Sequence, residues 1–175
     1  MNYYALQVKT RAESKFIRLF KAQHQDITFP IHFPQRRIDI RRKGVIRQET
    51  SAIFPGYVFV EAPSDEEIIA IQWDFRRTDG FYRFLKSNQN ISPLMDRDLE
   101  LVLHFIKNAG PVAGKSRVYF NENSRIVVVD GPLMGLEGKI VKVDKRKRRA
   151  KIKLDLYEES FTIDLAFEVI DAMDR

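Results

Sequence analysis

The chain of 175 residues carries few side chains that do catalytic chemistry, and their spacing favours no active site. It has no cysteine, which excludes disulfides, thiolate metal sites and cysteine nucleophiles. The three histidines, His24, His32 and His104, lie far apart without metal-ligand spacing. The acidic residues 65–67 fall in the first turn of a predicted helix, where carboxylates favour the helix dipole. No glycine-rich phosphate loop is present, so we expect no enzyme, no cofactor and no metal.

Phosphate binding is the chemistry that the sequence favours, because its cations are clustered. Lysine and arginine outnumber aspartate and glutamate by 30 to 24, and the net charge is +6. We expect nucleic-acid contacts, to DNA or RNA, from two clusters, with a solvated charged face as the alternative. The first cluster is Arg36, Arg37, Arg41, Arg42, Lys43 and Arg47, and the second is Lys142, Lys145, Arg146, Lys147, Arg148, Arg149, Lys151 and Lys153. Weaker candidates are Lys9, Arg11, Arg76 and Arg77.

Residues 1–107 alternate strand and helix patterns. Residues 3–9 alternate as a half-buried strand, and Thr10 with Glu13 forms a predicted capping box before a helix. Residues 29–49 look extended, with a turn at residues 43–44, and residues 57–60 form a predicted central strand. A second capping box at residues 64–67 and a helical pattern at residues 99–106 complete the series. The order predicts a ferredoxin-like antiparallel sheet with helices on one face.

Only strand patterns follow residue 123. We expect a linker over residues 108–123 and a domain over residues 124–175 with short strands at 125–129, 139–143, 151–156 and 160–165, and a last piece near 168–170. Residues 127–143 predict a glycine-turned β-hairpin, since Gly131, Gly135 and Gly138 lie between two β-branched runs. The predicted fold class is therefore α+β, a ferredoxin-like domain linked to a small SH3-like β-barrel.

Two segments resemble a known family. Asp130-Gly131-Pro132 and Gly138 between apolar runs resemble the KOW motif of transcription elongation factors and ribosomal proteins. Phe54-Pro55-Gly56-Tyr57, after a start of Tyr3-Tyr4-Ala5-Leu6-Gln7-Val8 and a helix, resembles the N-terminal domain of the NusG family. Together they make the whole chain similar to NusG-type elongation and antitermination factors.

The resemblance implies a protein without enzymatic activity. Its N-terminal domain would bind the clamp helices of RNA polymerase through an apolar pocket and lie beside upstream DNA. The positions that match this pocket are Tyr4, Phe54, Tyr57, Phe81 and Phe84. Because residues 55–56 should end the pairing of the chain, we expect Phe54 near the surface. The first basic cluster corresponds to an insertion that lies near polymerase and DNA in this family.

The resemblance also implies a partner for the KOW domain. Tyr157 matches the aromatic position that contacts a ribosomal protein or Rho, but Glu158 and Glu159 disfavour Rho. The second basic cluster favours an operon-specific paralogue of the LoaP kind over a general NusG. A ribosome- or RNA-associated KOW protein remains the alternative of another class. No apolar run reaches the roughly 20 residues of a membrane span, and we expect a cytoplasmic monomer.

Overall fold

A computed structural model describes residues 1–175, which form two compact units. The first unit comprises Met1–Pro34 and Phe54–Val102, and the second comprises Gln35–Ile53 and Leu103–Arg175. The strands are β1 (Asn2–Val8), β2 (Ile31–His32), β3 (Gln35–Arg42), β4 (Val45–Ala52), β5 (Tyr57–Ala62), β6 (Phe81–Phe84), β7 (Val112–Ala113), β8 (Ser116–Phe120), β9 (Ile126–Asp130), β10 (Ile140–Asp144), β11 (Arg149–Leu156) and β12 (Glu159–Val169). The helices are α1 (Glu13–Gln23), α2 (Asp65–Ala70), α3 (Gln72–Arg77) and α4 (Asp96–Leu103), with a π-helical turn at His104–Asn108. None of the helices is both long and apolar enough to cross a membrane.

The first unit is built on a four-stranded sheet in the order β2-β5-β1-β6. Its strands pair antiparallel, and β1 lies beside β5 from Asn2 opposite Ala62 to Gln7 opposite Tyr57. Aromatic residues of α1 and α3 cover the core, where the rings of Phe20 and Phe75 stack 4.0 Å apart. The predicted central strand and the α+β fold class are confirmed.

One of the two predicted capping boxes is wrong. Helix α1 begins at Glu13 with no side-chain cap, because Arg11 has a φ of 66° and turns the chain before the helix. The Glu13 carboxylate is buried and accepts the Gly56 N–H at 2.8 Å instead. In α2 the Ser64 hydroxyl does accept an N–H of the first turn, at 3.4 Å. Capping by Ser64 is therefore confirmed.

The second unit contains two sheets. Its five-stranded sheet has the order β10-β11-β12-β8-β9, and its three-stranded sheet has the order β4-β3-β7. The β3–β4 hairpin turns at Lys43 and Gly44, as predicted, and both have the positive φ that a tight hairpin turn requires. Residues 108–123, for which we expected a linker, include β7 and β8. Buried Ser116 and Val118 show that β8 belongs to the core of this unit.

The predicted hairpin over residues 127–143 is wrong. Strand β9 pairs with β8, β10 pairs with β11, and the two lie at opposite ends of the sheet order. The loop between them packs Leu133 and Leu136 into the core and ends in a 3₁₀ turn at Glu137–Lys139. A tight turn would leave those leucines exposed, so the burial of apolar area favours the crossing loop. The expected last strand near residues 168–170 is the end of β12.

Candidate functional surfaces

The aromatic residues of the predicted pocket are mostly buried inside the first unit. Tyr4, Phe54 and Phe84 expose 1% or less of their surface, and Tyr57 exposes 8%. The expectation that Phe54 lies near the surface is wrong, because its ring packs edge-on against Phe59 at 5.3 Å. Of the five, Phe81 alone is half-buried, so it alone offers substantial ring surface to a partner.

Tyr4 illustrates how firmly these rings are held. Its hydroxyl donates to Asp65 at the start of α2 and accepts from Asn2 at 3.4 Å. Burial, followed by the hydrogen bond to Asp65, raises the pKa of Tyr4 to about 12. The phenol therefore stays protonated at neutral pH, and its contacts join the sheet to a helix.

The structure brings three strand ends together at one end of the first sheet. The Val8 N–H donates to the Gly56 oxygen at 2.8 Å, and the Lys9 N–H donates to the Gly80 oxygen at 2.8 Å. Phe81 pairs with Val8 across β1 and β6. We call the accessible residues here the sheet-end surface, and they are Lys9, Arg11, Pro55 and Phe81.

The Phe-Pro-Gly-Tyr segment is a tight turn at this surface. The Tyr57 N–H donates to the Phe54 oxygen at 3.1 Å, and Gly56 has a φ of 83°, as in a type II turn with proline first. A Cβ on Gly56 would lie 3.0 Å from Thr10 Oγ1. The segment therefore buries its two rings and leaves Pro55 exposed.

Three of the predicted nucleic-acid residues are occupied by contacts within their own unit. Half-buried Arg36 donates to the Ala52 oxygen, and burial is the main cause of its lowered pKa. Arg76 donates to the Asn88 oxygen and lies 4.7 Å from the Trp73 ring centre. Arg149 is half-buried as well. The other predicted cations are exposed, and they are Lys9, Arg11, Arg37, Arg41, Arg42, Lys43, Arg47, Arg77, Lys142, Lys145, Arg146, Lys147, Arg148, Lys151 and Lys153.

Asp39 holds strand β3 within the second unit. Its carboxylate lies 3.0 Å from Lys115 Nζ, and its backbone oxygen accepts from the Arg149 guanidinium. Arg149 also lies 3.9 Å from Asp164 on β12. The hydrogen bond from Lys115 is the main cause that lowers the pKa of Asp39. Sequence reasoning missed Lys115 and Asp164, since no local pattern links them to the hairpin.

As a result, residues of both basic clusters line one groove of about 580 Å³ in the second unit. We call it the basic groove. Strand β3, the β10–β11 turn and β12 form its walls. It is lined by Asp39, Ile40, Arg41, Ile46, Lys115, Arg146, Lys147, Arg148, Arg149, Ala166 and Phe167.

Tyr157 lies at the turn between β11 and β12. Tyr157 and Glu158 have φ values of 50° and 67°, the left-handed conformation of a two-residue hairpin turn. Such turns usually contain asparagine and glycine, so a half-buried tyrosine there is unusual. No group of three or more metal-ligating side chains occurs in the structure.

The chain is similar to known proteins over nearly all its length. A family profile described as "Transcription termination factor nusG" matches residues 1–103. The "Transcription termination/antitermination protein NusG" of Bacillus subtilis (strain 168) is 24% identical over 170 residues, which cover 97% of this chain and 93% of the relative. The protein of the same name from Helicobacter pylori (strain J99) is 22% identical and covers 98% of each.

A solved structure shares the fold. "Domain interaction in Thermotoga maritima NusG" superposes with a TM-score of 0.55 at 19% identity, over 94% of this chain and 93% of that chain. At this identity the likeness supports the fold.

Proposed function

The chain belongs to the NusG family of transcription factors, and from this premise we propose that it is an elongation or antitermination factor that binds RNA polymerase through its first unit. The observation that carries the proposal is the sheet-end surface. There a half-buried aromatic ring and an exposed proline lie beside two exposed cations. An apolar centre with a charged rim suits the tip of a helical hairpin such as the polymerase clamp helices.

The contact is expected to centre on Phe81. The other four pocket residues would support the contact without touching the partner, because they are buried and hold the turn and the strand ends in place. They are Tyr4, Phe54, Tyr57 and Phe84. Truncating a fully buried phenylalanine costs about 3–5 kcal/mol of unfolding free energy, so Phe54→Ala would weaken the fold as well as the contact and would not test the contact alone. Phe81 and exposed Lys9 are better positions for a test.

The test compares Phe81→Ala with Tyr82→Ala. Successive residues of a strand point to opposite faces, and Tyr82 is 57% exposed, so its truncation removes a similar ring from the other face. Affinity for purified RNA polymerase should fall about tenfold or more in Phe81→Ala and stay unchanged in Tyr82→Ala. Unfolding followed by tryptophan fluorescence checks that both variants fold.

A charge variant keeps the test decisive if Phe81→Ala is unstable. Lys9 is exposed and its backbone, rather than its side chain, makes the contact with Gly80. Lys9→Glu should therefore fold normally and bind polymerase more weakly. If neither Phe81→Ala nor Lys9→Glu changes the affinity, the sheet-end surface is not the polymerase contact.

The second unit is proposed to bind nucleic acid and a protein partner. Exposed cations of both clusters support contact with phosphates, and the Tyr157 turn is the candidate for contact with a ribosomal protein. The density of cations favours a specialised paralogue over a general NusG. At low salt the intact chain should bind RNA or DNA. The absence of such binding would instead favour a general NusG.

A further inference from the structure

The basic groove has many more cations than carboxylates among its lining residues. Asp39 is the one carboxylate among its lining residues, and it is paired with Lys115. Arg149 contacts the Asp39 backbone and lies near Asp164. Four exposed cations of the lining have no carboxylate within 4.0 Å, and they are Arg41, Arg146, Lys147 and Arg148. Asp144, at the end of β10, interacts electrostatically with Arg146 and Lys147.

These four cations come from two parts of the chain that the Asp39 contacts hold together. Arg41 lies on β3, whereas the other three lie in the β10–β11 turn. Asp144 shapes this turn by accepting the Lys147 N–H at 2.8 Å. Strand β3 also packs beside β12, whose Ala166 and Phe167 line the groove. The positions of the cations are therefore set by buried and paired groups.

The groove offers no free aromatic face. Phe167 is completely buried, and the nearby cation Lys145 covers the ring of Phe120 at 4.3 Å. Sites for single-stranded nucleic acid usually combine cations with aromatic rings on which unpaired bases stack. A groove with cations and no exposed ring suits the phosphate backbone of paired strands, whose bases are already stacked.

We propose that the basic groove is one composite site for a double-stranded nucleic acid, in which the β3–β4 hairpin and the β10–β11 turn contact phosphates of the same duplex. This inference rests on the proposed nucleic-acid binding of the second unit and adds the duplex and the shared site. Duplex DNA and the stem of a folded RNA present the same phosphodiester chemistry, so the test includes both.

The test measures binding of the intact chain by fluorescence anisotropy at several salt concentrations. The probes are a 20-base-pair DNA duplex, an RNA hairpin with a stem of the same length, and a single-stranded 20-mer. Each phosphate contact contributes about 0.9 to the log–log salt slope on duplex DNA. The slope should fall by about 1 in Arg41→Ala, about 2 in Arg146→Ala/Lys147→Ala, and about 3 in the triple variant.

The matched control is Arg125→Ala/Lys139→Ala. It removes two exposed cations of the same unit that do not line the groove, and the slope should stay unchanged. Tighter binding of either duplex than of the single strand supports the proposal. The duplex that binds more tightly shows whether the ligand is DNA or a folded RNA.

Three results would overturn it. If Arg41→Ala leaves the salt slope unchanged, the β3–β4 hairpin is not part of the site, even where the β10–β11 turn binds the duplex by itself. Equal or tighter binding of the single strand refutes the duplex. A loss of binding in the control equal to that in Arg146→Ala/Lys147→Ala shows a diffuse charge effect. Polymerase affinity, measured separately on the same variants, should not change, so the two proposals fail independently.

Discussion

Replacing Gly131 with alanine should destabilise the second unit more than any other glycine replacement in the β9–β10 loop. Gly131 has a φ of 96°, and a Cβ added there would lie 2.6 Å from the backbone Cα of Ser116. The backbone strain costs about 1–3 kcal/mol, and relieving the overlap costs about 1–3 kcal/mol more. We therefore expect a loss of about 2–6 kcal/mol, a large part of a typical domain's stability.

Replacements of two neighbouring glycines distinguish the cost of backbone strain from the cost of steric overlap. Gly135 has a φ of 83° but no atom within 4 Å of an added Cβ, so Gly135→Ala should cost about 1–2 kcal/mol from strain alone. Gly138 has neither a positive φ nor a close neighbour, and Gly138→Ala should be neutral or slightly stabilising.

Hydrogen exchange of the β8–β9 segment is the appropriate measurement. The single tryptophan, Trp73, lies in the first unit, so its fluorescence does not report the second. Exchange read by mass spectrometry gives the opening free energy of each segment separately. Equal losses in Gly131→Ala and Gly135→Ala would refute the close approach of Gly131 to Ser116.

Two further predictions concern carboxylates. The pKa of Asp39 is lowered in the folded protein from its ordinary value of 3.8. Its pairing with Lys115 therefore stabilises the hairpin fully at pH values above 3.8, and this stabilisation is lost as the pH falls through the lower pKa of the folded state. Exchange of the β3 amides should therefore accelerate below about pH 4 after correction for intrinsic rates, and Asp39→Asn should remove this pH dependence. Glu13→Ala should cost the first unit about 1–3 kcal/mol, because it leaves the buried Gly56 N–H without its acceptor. Glu13→Gln, which retains an oxygen acceptor, should cost less in urea unfolding followed by tryptophan fluorescence.

The sequence was informative where one segment determines its own structure. The turn at Lys43-Gly44 follows from Gly44, which adopts a positive φ without strain, and Ser64 caps α2 through a bond three residues away. The Thr10 capping box failed because a distant N–H, that of Gly56, takes the Glu13 carboxylate. Local propensity cannot show such a competitor.

The pairing of strands was harder to predict. Two β-branched runs around glycines look like a hairpin, but buried Leu133 and Leu136 make the connection a crossing loop. Strand β8 was missed although it pairs with the strand that follows it, β9, because its second partner, β12, lies far along the chain. For the same reason the basic clusters could be identified from composition, whereas the groove that they share could not.

Genome-wide occupancy of the chain, measured beside that of RNA polymerase in the same cells, tests whether the protein acts on transcribing polymerase. We expect the protein on transcribed DNA only where polymerase is present, downstream of promoters. Phe81→Ala should lose this occupancy, whereas Tyr82→Ala should keep it. Restriction to a few operons would support the specialised paralogue. Occupancy unrelated to polymerase, or an association with ribosomes alone, would refute the proposed binding to RNA polymerase.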